Sequence, residues 1–513
     1  MGANNTISVI LPGVVIAIAA IVVFTADLFL KRKGALAWIA VAGLLAGAAV
    51  AIGQWGQWTA GFAVWKVVDG GLAFGGREAV AGFAGMIGDD RYGLFAVVLF
   101  AAIGVLTILL SDAYLAKRGA ARGEFYGLLL LIITGMIGMV LSTDIIAFFV
   151  SFELMSLPTY VLAGYIWRDE KSTEASLKYF VTGAFSSAIL AFGLALVYGA
   201  TGQTSYGGIA AGLAALQQGG TSPDGFLMVA FVLVVTGFGF KISAVPFHSW
   251  APDVYEGAPT PVTAFMATGV KAAAFIGFAK LFFMAGGADW ADWGNAVIVL
   301  AVLTMVVGNV LALPQRNLKR MLAYSSIAHA GYLTLGIIAA GKSGDRLGMS
   351  AILFYLAAYA LMNLGAFGVL IWIRARRKYD YSLEGIAGLG RRMPWPAILM
   401  ALFMVSLTGI PPTVGFWGKF KLFTVVVQAG STWLVIIAVV MSTVSAYYYL
   451  RVVWYMYFRE ATEGVEVVAE PEASNAGVIT AVTIAALGVV LVGLFPGPLL
   501  DAAQGAVRVL IGG

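Results

Sequence analysis

Seven basic residues fall inside long apolar stretches of the chain: Lys178, Lys241, Lys271, Lys280, Lys419, Lys421 and Arg451. A cation at the centre of a bilayer costs about 2.5–3.5 kcal/mol on insertion scales, so several together demand a use. Six of them are lysines. Arginine holds its proton essentially always, whereas a desolvated lysine can release one near neutral pH. The chemistry open to such a set is proton donation and acceptance in series. One carboxylate joins it, Glu153 in FVSFELMSLPTY. An acid and lysines at similar depth can pair and bias each other's proton affinity; the plainer alternative for Glu153 is a static ion pair. Lys178 and Lys280 stand nearer the ends of their stretches, where a long stem can carry the ammonium to the interface. Snorkelling is the expectation for Lys280 and Lys421, and a fixed countercharge for Arg451. Two histidines complete the set, His248 in KISAVPFHSWAPDVYEGAPTP and His329 in AYSSIAHAGY. Each is either a satisfied core imidazole or a proton carrier, since the neutral ring is tolerable in hydrocarbon and titrates in a useful range.

Helices must hold these groups at depth. Apolar runs separated by short polar breaks read as fourteen spans, near 9–30, 35–53, 93–112, 124–142, 145–166, 175–199, 225–250, 259–285, 295–313, 320–341, 347–374, 395–429, 433–458 and 476–497. Only 54–92, 200–224, 375–394 and 459–475 are sizeable polar excursions. The first run has no basic residues before it and ends in Lys31, Arg32 and Lys33, so it reads as a retained span rather than a leader. Continuous apolar runs exclude an outer-membrane barrel, whose strands alternate. With the N-terminus outside, eighteen basic residues fall in inner loops and six in outer ones. That matches the positive-inside bias and puts both termini outside.

Composition agrees. Of 513 residues 61% are hydrophobic and 11% charged, against about 25% charged in soluble domains. A soluble enzyme is excluded, and the net charge of +5 reports topology rather than a nucleic-acid partner. The lipid bilayer, protons and water are the expected company. Zero cysteines exclude thiolate-held metals and iron–sulfur clusters, and two histidines supply little for haem or zinc. The chain is expected to carry no metal and no cofactor.

Spans 7 and 12 are interrupted by composition: Gly237, Gly239 and Pro246 in one, Gly409, Pro411, Pro412, Gly415 and Gly418 in the other. GFGFK ending at Lys241 and GFWGK ending at Lys419 both fit GFxxK, 178 residues apart. The same offset carries Glu153 close to His329 and Lys271 close to Arg451. Spans 4–8 (124–285) thus correspond to spans 9–13 (295–458). Five is odd, so the two copies face opposite ways, an architecture common in ion transporters. The expected fold is an all-α polytopic membrane protein of about fourteen transmembrane helices. It holds two inverted five-helix repeats with broken helices 7 and 12, preceded by a three-helix segment (1–123) and followed by a loop and helix 14 (459–513).

The segments FELMSLPTYVLAGY, EASLKYFVTGAF, GFGFKISAVPFHSWAPDVYEGAPTPVTAFMATGVKAAAF, RNLKRMLAYSSIAHAGY and GIPPTVGFWGKFKLF resemble the antiporter-like membrane subunits of respiratory NADH–quinone oxidoreductase, complex I. The N branch of that family fits best. The M branch generally carries glutamate where GFWGK has Lys419, and the L branch is longer. The resemblance implies proton translocation driven by redox chemistry in partner subunits, which would hold the flavin, the iron–sulfur clusters and the quinone. It implies as neighbours a subunit of the M type and the small membrane subunits. By position it implies Glu153 as the span-5 acid, Lys241 as the span-7 lysine, Lys271 as the central connection and Lys419 as the opposite exit. Lys178 would modulate the Glu153 pair, and His248 and His329 would lie on the hydrated axis. The alternatives are a subunit of a multi-chain Na+/H+ antiporter and a non-conducting anchor of a hydrogenase-type complex.

Overall fold

Within hydrocarbon a chain can satisfy its backbone polar groups only in helices or closed barrels, and the computed structural model is built almost wholly of helices. It describes residues 4–30, 33–59, 64–68, 71–75, 81–82, 85–88, 90–218, 225–285, 290–344, 346–376, 381–460 and 476–508. Lys31, Arg32, Arg77, Arg377 and Lys378, which entered the charge count above, lie outside the described residues.

The N-terminal segment is α1 (Asn4–Phe29), α2 (Gly34–Thr59) and α3 (Arg91–Ala116). Between α2 and α3 run two short antiparallel pairs, β1 (Val64–Val68) with β2 (Gly71–Gly75) and β3 (Ala81–Gly82) with β4 (Ile87–Gly88). The first set of five spans comprises α4 (Gly123–Leu141), α5 (Ile145–Ala163) and α6 (Glu170–Thr201), then an outer helix α7 (Tyr206–Gln218). Its interrupted fourth span is α8 (Gly225–Lys241) and α9 (Trp250–Gly257); its fifth is α10 (Thr260–Phe265), a π turn at Met266–Val270, and α11 (Lys271–Ala285). The second set comprises α12 (Trp290–Ala312), α13 (Leu318–Ser343) and α14 (Leu347–Arg376), a short α15 (Leu389–Arg392), the interrupted pair α16 (Pro394–Thr408) and α17 (Val414–Gln428), and α18 (Thr432–Phe458). The chain closes with α19 (Ala476–Leu494) and α20 (Gly497–Val507).

Among the described residues twelve stretches are long and apolar enough to cross a membrane, and the shorter α8 and α16 are the first halves of the interrupted spans. The fourteen expected spans are therefore all present. Neither α7 nor α20 was expected, and α6 begins five residues earlier than its apolar run. Side-chain caps explain several starts: Asp90 accepts from the Gly93 amide, Asp144 from Ile146 and Ala147, and Asn317 from Lys319 and Arg320.

The two GFxxK lysines stand on different sides of their breaks: Lys241 is the last residue of α8, before the first, while Lys419 lies in α17, after the second. What the two sets share is the order of elements, with the fourth span of each interrupted.

Burial divides the spans sharply. In the most apolar window of Thr260–Ala285 and of Leu318–Ser343 every residue is buried, and 94% in Leu347–Ile373; in α18 the share is 28%. So α11, α13 and α14, which pack on one another, form the core, while α6, α18 and α19 present apolar outer faces suited to lipid. Lys271 and His329 sit in the core set.

Candidate functional site

The break after α8 fixes the first group. A helix ends with carbonyls that lack partners, and here the Trp250 indole donates to the Phe240 carbonyl at 3.2 Å across the break. That ring stacks on Tyr179, with centroids 4.5 Å apart. Lys241, 2% exposed, thereby lies in an aromatic box, its Nζ 4.8 Å from the Phe152 ring centre and 5.7 and 5.8 Å from those of Tyr160 and Tyr179. The ammonium donates to Ser156 Oγ at 2.7 Å. Glu153 is one turn earlier on the same helix, half-buried, with one buried carboxylate oxygen that has no hydrogen-bond partner. No ion pair joins Glu153 to Lys241 among the described residues. The carboxylate is within electrostatic reach of the lysine but apart from it.

Lys271 opens α11 directly after the π turn, a local widening often found where a helix carries a functional group. It is 1% exposed and donates to the Ser326 carbonyl at 2.8 Å and to Ser326 Oγ at 2.5 Å. One turn along α13 stands His329, also 1% exposed, with Nδ1 2.7 Å from the Tyr355 hydroxyl and Nε2 3.1 Å from that of Tyr449. Tyr449 meets Ser325. Beside this set Tyr448 donates to Asn309 Oδ1 at 3.0 Å, and Asn309 donates to the Tyr332 hydroxyl at 3.1 Å. The Tyr332 ring faces Lys419 Nζ at 5.5 Å. Lys419, 6% exposed, donates to the Leu407 and Thr408 carbonyls at 3.0 and 2.9 Å and to Ser442 Oγ at 2.8 Å. It thus caps the half-helix α16, whose end turns at Gly409 with φ +90°. Polar side chains thus gather in the core around Lys271, His329 and Lys419, in separate hydrogen-bonded groups.

Other expected residues lie elsewhere. Lys178 makes no ion pair with Glu153 among the described residues. It pairs with Glu174 at 2.7 Å and Asp253 at 2.8 Å, and Asp253 pairs with Arg320 at 2.7 Å. Arg320 and Lys171 both reach Glu256, and these residues line a cleft of about 170 Å³. His248 is half-buried in the break after α8, and its Nδ1 has no hydrogen-bond partner. Lys280 does not snorkel. It is 1% exposed, pairs with Asp90 at 2.8 Å and donates to the Val140 carbonyl at 3.0 Å. Arg451 donates to the Leu313 and Gln315 carbonyls, capping the end of α12. Lys421 is half-buried on α17.

Sequence reasoning passed over Asp90, Asp253, Glu256 and the serines. The two acids of PDVYEG sit inside the long quoted motif and were legible there. The serines carry no such signal, because serine is common in spans; only the one-turn steps from Glu153 to Ser156 and from Ser326 to His329 point to them.

Residues 142–445 match the transmembrane family described as "NADH:quinone oxidoreductase/Mrp antiporter, TM". The chain is 41% identical over 508 residues to the protein of Trichlorobacter lovleyi named "NADH-quinone oxidoreductase subunit N", covering 98% of this chain and 97% of that one. It is similar in structure to a chain of respiratory complex I from Thermus thermophilus with bound aureothin, at 32% identity and a TM-score of 0.76, covering 96% and 100% of the two chains. A chain of the Mrp complex from Dietzia sp. shares the fold, with a TM-score of 0.80 at 21% identity over 99% and 98%.

Proposed function

Given that the chain belongs to the subunit N family of NADH–quinone oxidoreductases and is a proton-translocating membrane subunit of that enzyme, we propose that protons cross it on Glu153, Lys241, Lys271, His329 and Lys419. The observation that carries this reading is the placement of three nearly inaccessible lysines, each hydrogen-bonded to a hydroxyl, with a histidine between two of them. Charge on Glu153 holds the proton on Lys241, because unlike charges attract strongly where the dielectric is low. Withdrawal of that charge releases the proton inward to Lys271. Water carries it over this stretch, since no side-chain hydrogen bond links Lys241 to Lys271 among the described residues. From Lys271 it passes by Ser326, His329 and the tyrosine hydroxyls to Lys419. Lys178, Asp253, Glu256 and Arg320 form the charged mouth on the inner face, and His248 stands in the break beside the path. The working units are 124–285 and 295–458, with 1–123 and 459–513 as the flanks. Both termini face outside a bacterial inner membrane.

Neighbours in the assembly are an antiporter-like subunit of the M type and the small membrane subunits. The flavin, iron–sulfur clusters and quinone reside on partners, and redox energy reaches this chain through contacts that move Glu153.

The test is NADH-driven proton uptake by membrane vesicles bearing the intact enzyme. Lys241→Met, and Lys271→Arg, which keeps the charge but cannot release a proton, should each lower uptake about tenfold or more at unchanged assembly. Full uptake with normal assembly would reduce the chain to a scaffold.

A further inference from the structure

Each lysine on this path lays its ammonium on a serine from another helix: Lys241 on Ser156, Lys271 on Ser326 and Lys419 on Ser442. The partner differs in kind from that of Lys280, whose hydrogen-bonding groups are a carboxylate and a carbonyl. The difference matters once a proton leaves. An ammonium offers three donors and no acceptor. The neutral amine gains a lone pair, which in a dry interior needs a donor to face it, and an unmet polar group there is costly. A carbonyl or carboxylate can accept from the N–H groups of either form but cannot donate to that lone pair. A hydroxyl serves both, since it carries one donor and two acceptor lone pairs and can rotate.

Ser156 shows the arrangement suited to the charged form: its Oγ accepts from Lys241 at 2.7 Å while its proton points to the Phe152 carbonyl at 2.7 Å. Ser156 and Ser326 are both fully buried, so bulk water does not replace them. Lys342, at the end of α13, also bonds a serine, Ser431, but that lysine is exposed and water can meet either form.

We propose that Ser156, Ser326 and Ser442 are positioning residues of the proton path, accepting a hydrogen bond from the charged lysine and donating one to the same lysine when it is neutral. No bond to serine oxygen is made or broken. The proton moves from Nζ to the next acceptor, and the hydroxyl hydrogen turns to the amine, at Ser156 away from the Phe152 carbonyl. By the same logic Lys280, held by a carboxylate and a carbonyl, has no hydroxyl to face a neutral amine and lies outside the path. This inference rests on the relay reading above.

The experiment replaces each serine by alanine and by threonine in the intact enzyme, and measures NADH-driven proton uptake per assembled complex. Alanine should lower uptake about tenfold, the scale of losing a charge-linked hydrogen bond, and threonine, which restores the hydroxyl, should recover most of it. Ser442, half-buried, is the position where a change disturbs packing least. Ser111→Ala removes a buried hydroxyl that bonds the Thr107 carbonyl and should leave uptake unchanged. Alanine variants pumping at the parental rate, or threonine failing as alanine does, would overturn the proposal. Lys241→Met in the same series separates the two readings. Its loss beside intact serine variants rejects the serines alone, and its full activity rejects the relay.

Discussion

At the residue scale, the buried cations divide by what surrounds them. Lys241, Lys271 and Lys419 meet hydroxyls, carbonyls and ring faces, while Lys280 meets the Asp90 carboxylate. Asp90 also accepts from the Gly93 amide at 2.6 Å, so it ties the start of α3 to the interior of α11. Breaking such a pair leaves a charge without a partner in a dry place. Asp90→Asn should therefore cost about 3–5 kcal/mol of stability, and Asp90→Asn with Lys280→Met much less. Thermal unfolding of the purified complex measures both. Equal losses in the single and double variants would contradict the assignment of this pair as structural.

At the element scale, the two breaks do different work. The first leaves Lys241 at the end of a half-helix whose Phe240 carbonyl is met by Trp250. The second places Lys419 beyond the turn, where it meets the Leu407 and Thr408 carbonyls of the opposite half. Gly409 makes that turn possible. At φ +90° a side chain is strained, and a Cβ there would stand 3.0 Å from Lys419 Cδ. Gly409→Ala should cost about 1–2 kcal/mol and displace the lysine. Its expected signature is reduced proton uptake together with a lowered unfolding temperature, whereas Gly430→Ala, also at positive φ but with open space around it, should show only the second.

At the scale of the whole molecule, the proposed orientation puts the Lys178–Asp253–Arg320 cluster, where α6, α9 and α13 meet, towards the inner face. The chain contains no cysteine, so single introduced thiols report topology cleanly. Arg168→Cys should react with an impermeant maleimide only from the inner face, and Gln428→Cys only from the outer. The reverse pattern would invert the molecule and the direction of transport with it.

The number of spans, the two interrupted ones and the burial of Lys241, Lys271 and Lys419 were legible in the chain itself. Hydropathy, proline and the cost of burying charge are properties of a stretch of residues wherever it is placed. The motif also held Asp253 and Glu256 in plain view. What each group touches was decided only when the helices packed. Lys178 found Asp253 rather than Glu153, Lys280 found Asp90 from a distant loop, and the two GFxxK lysines fell on opposite sides of their breaks. Depth in a membrane follows from local composition, but a partner is set by the rotation and crossing of whole helices, which depends on every neighbour at once.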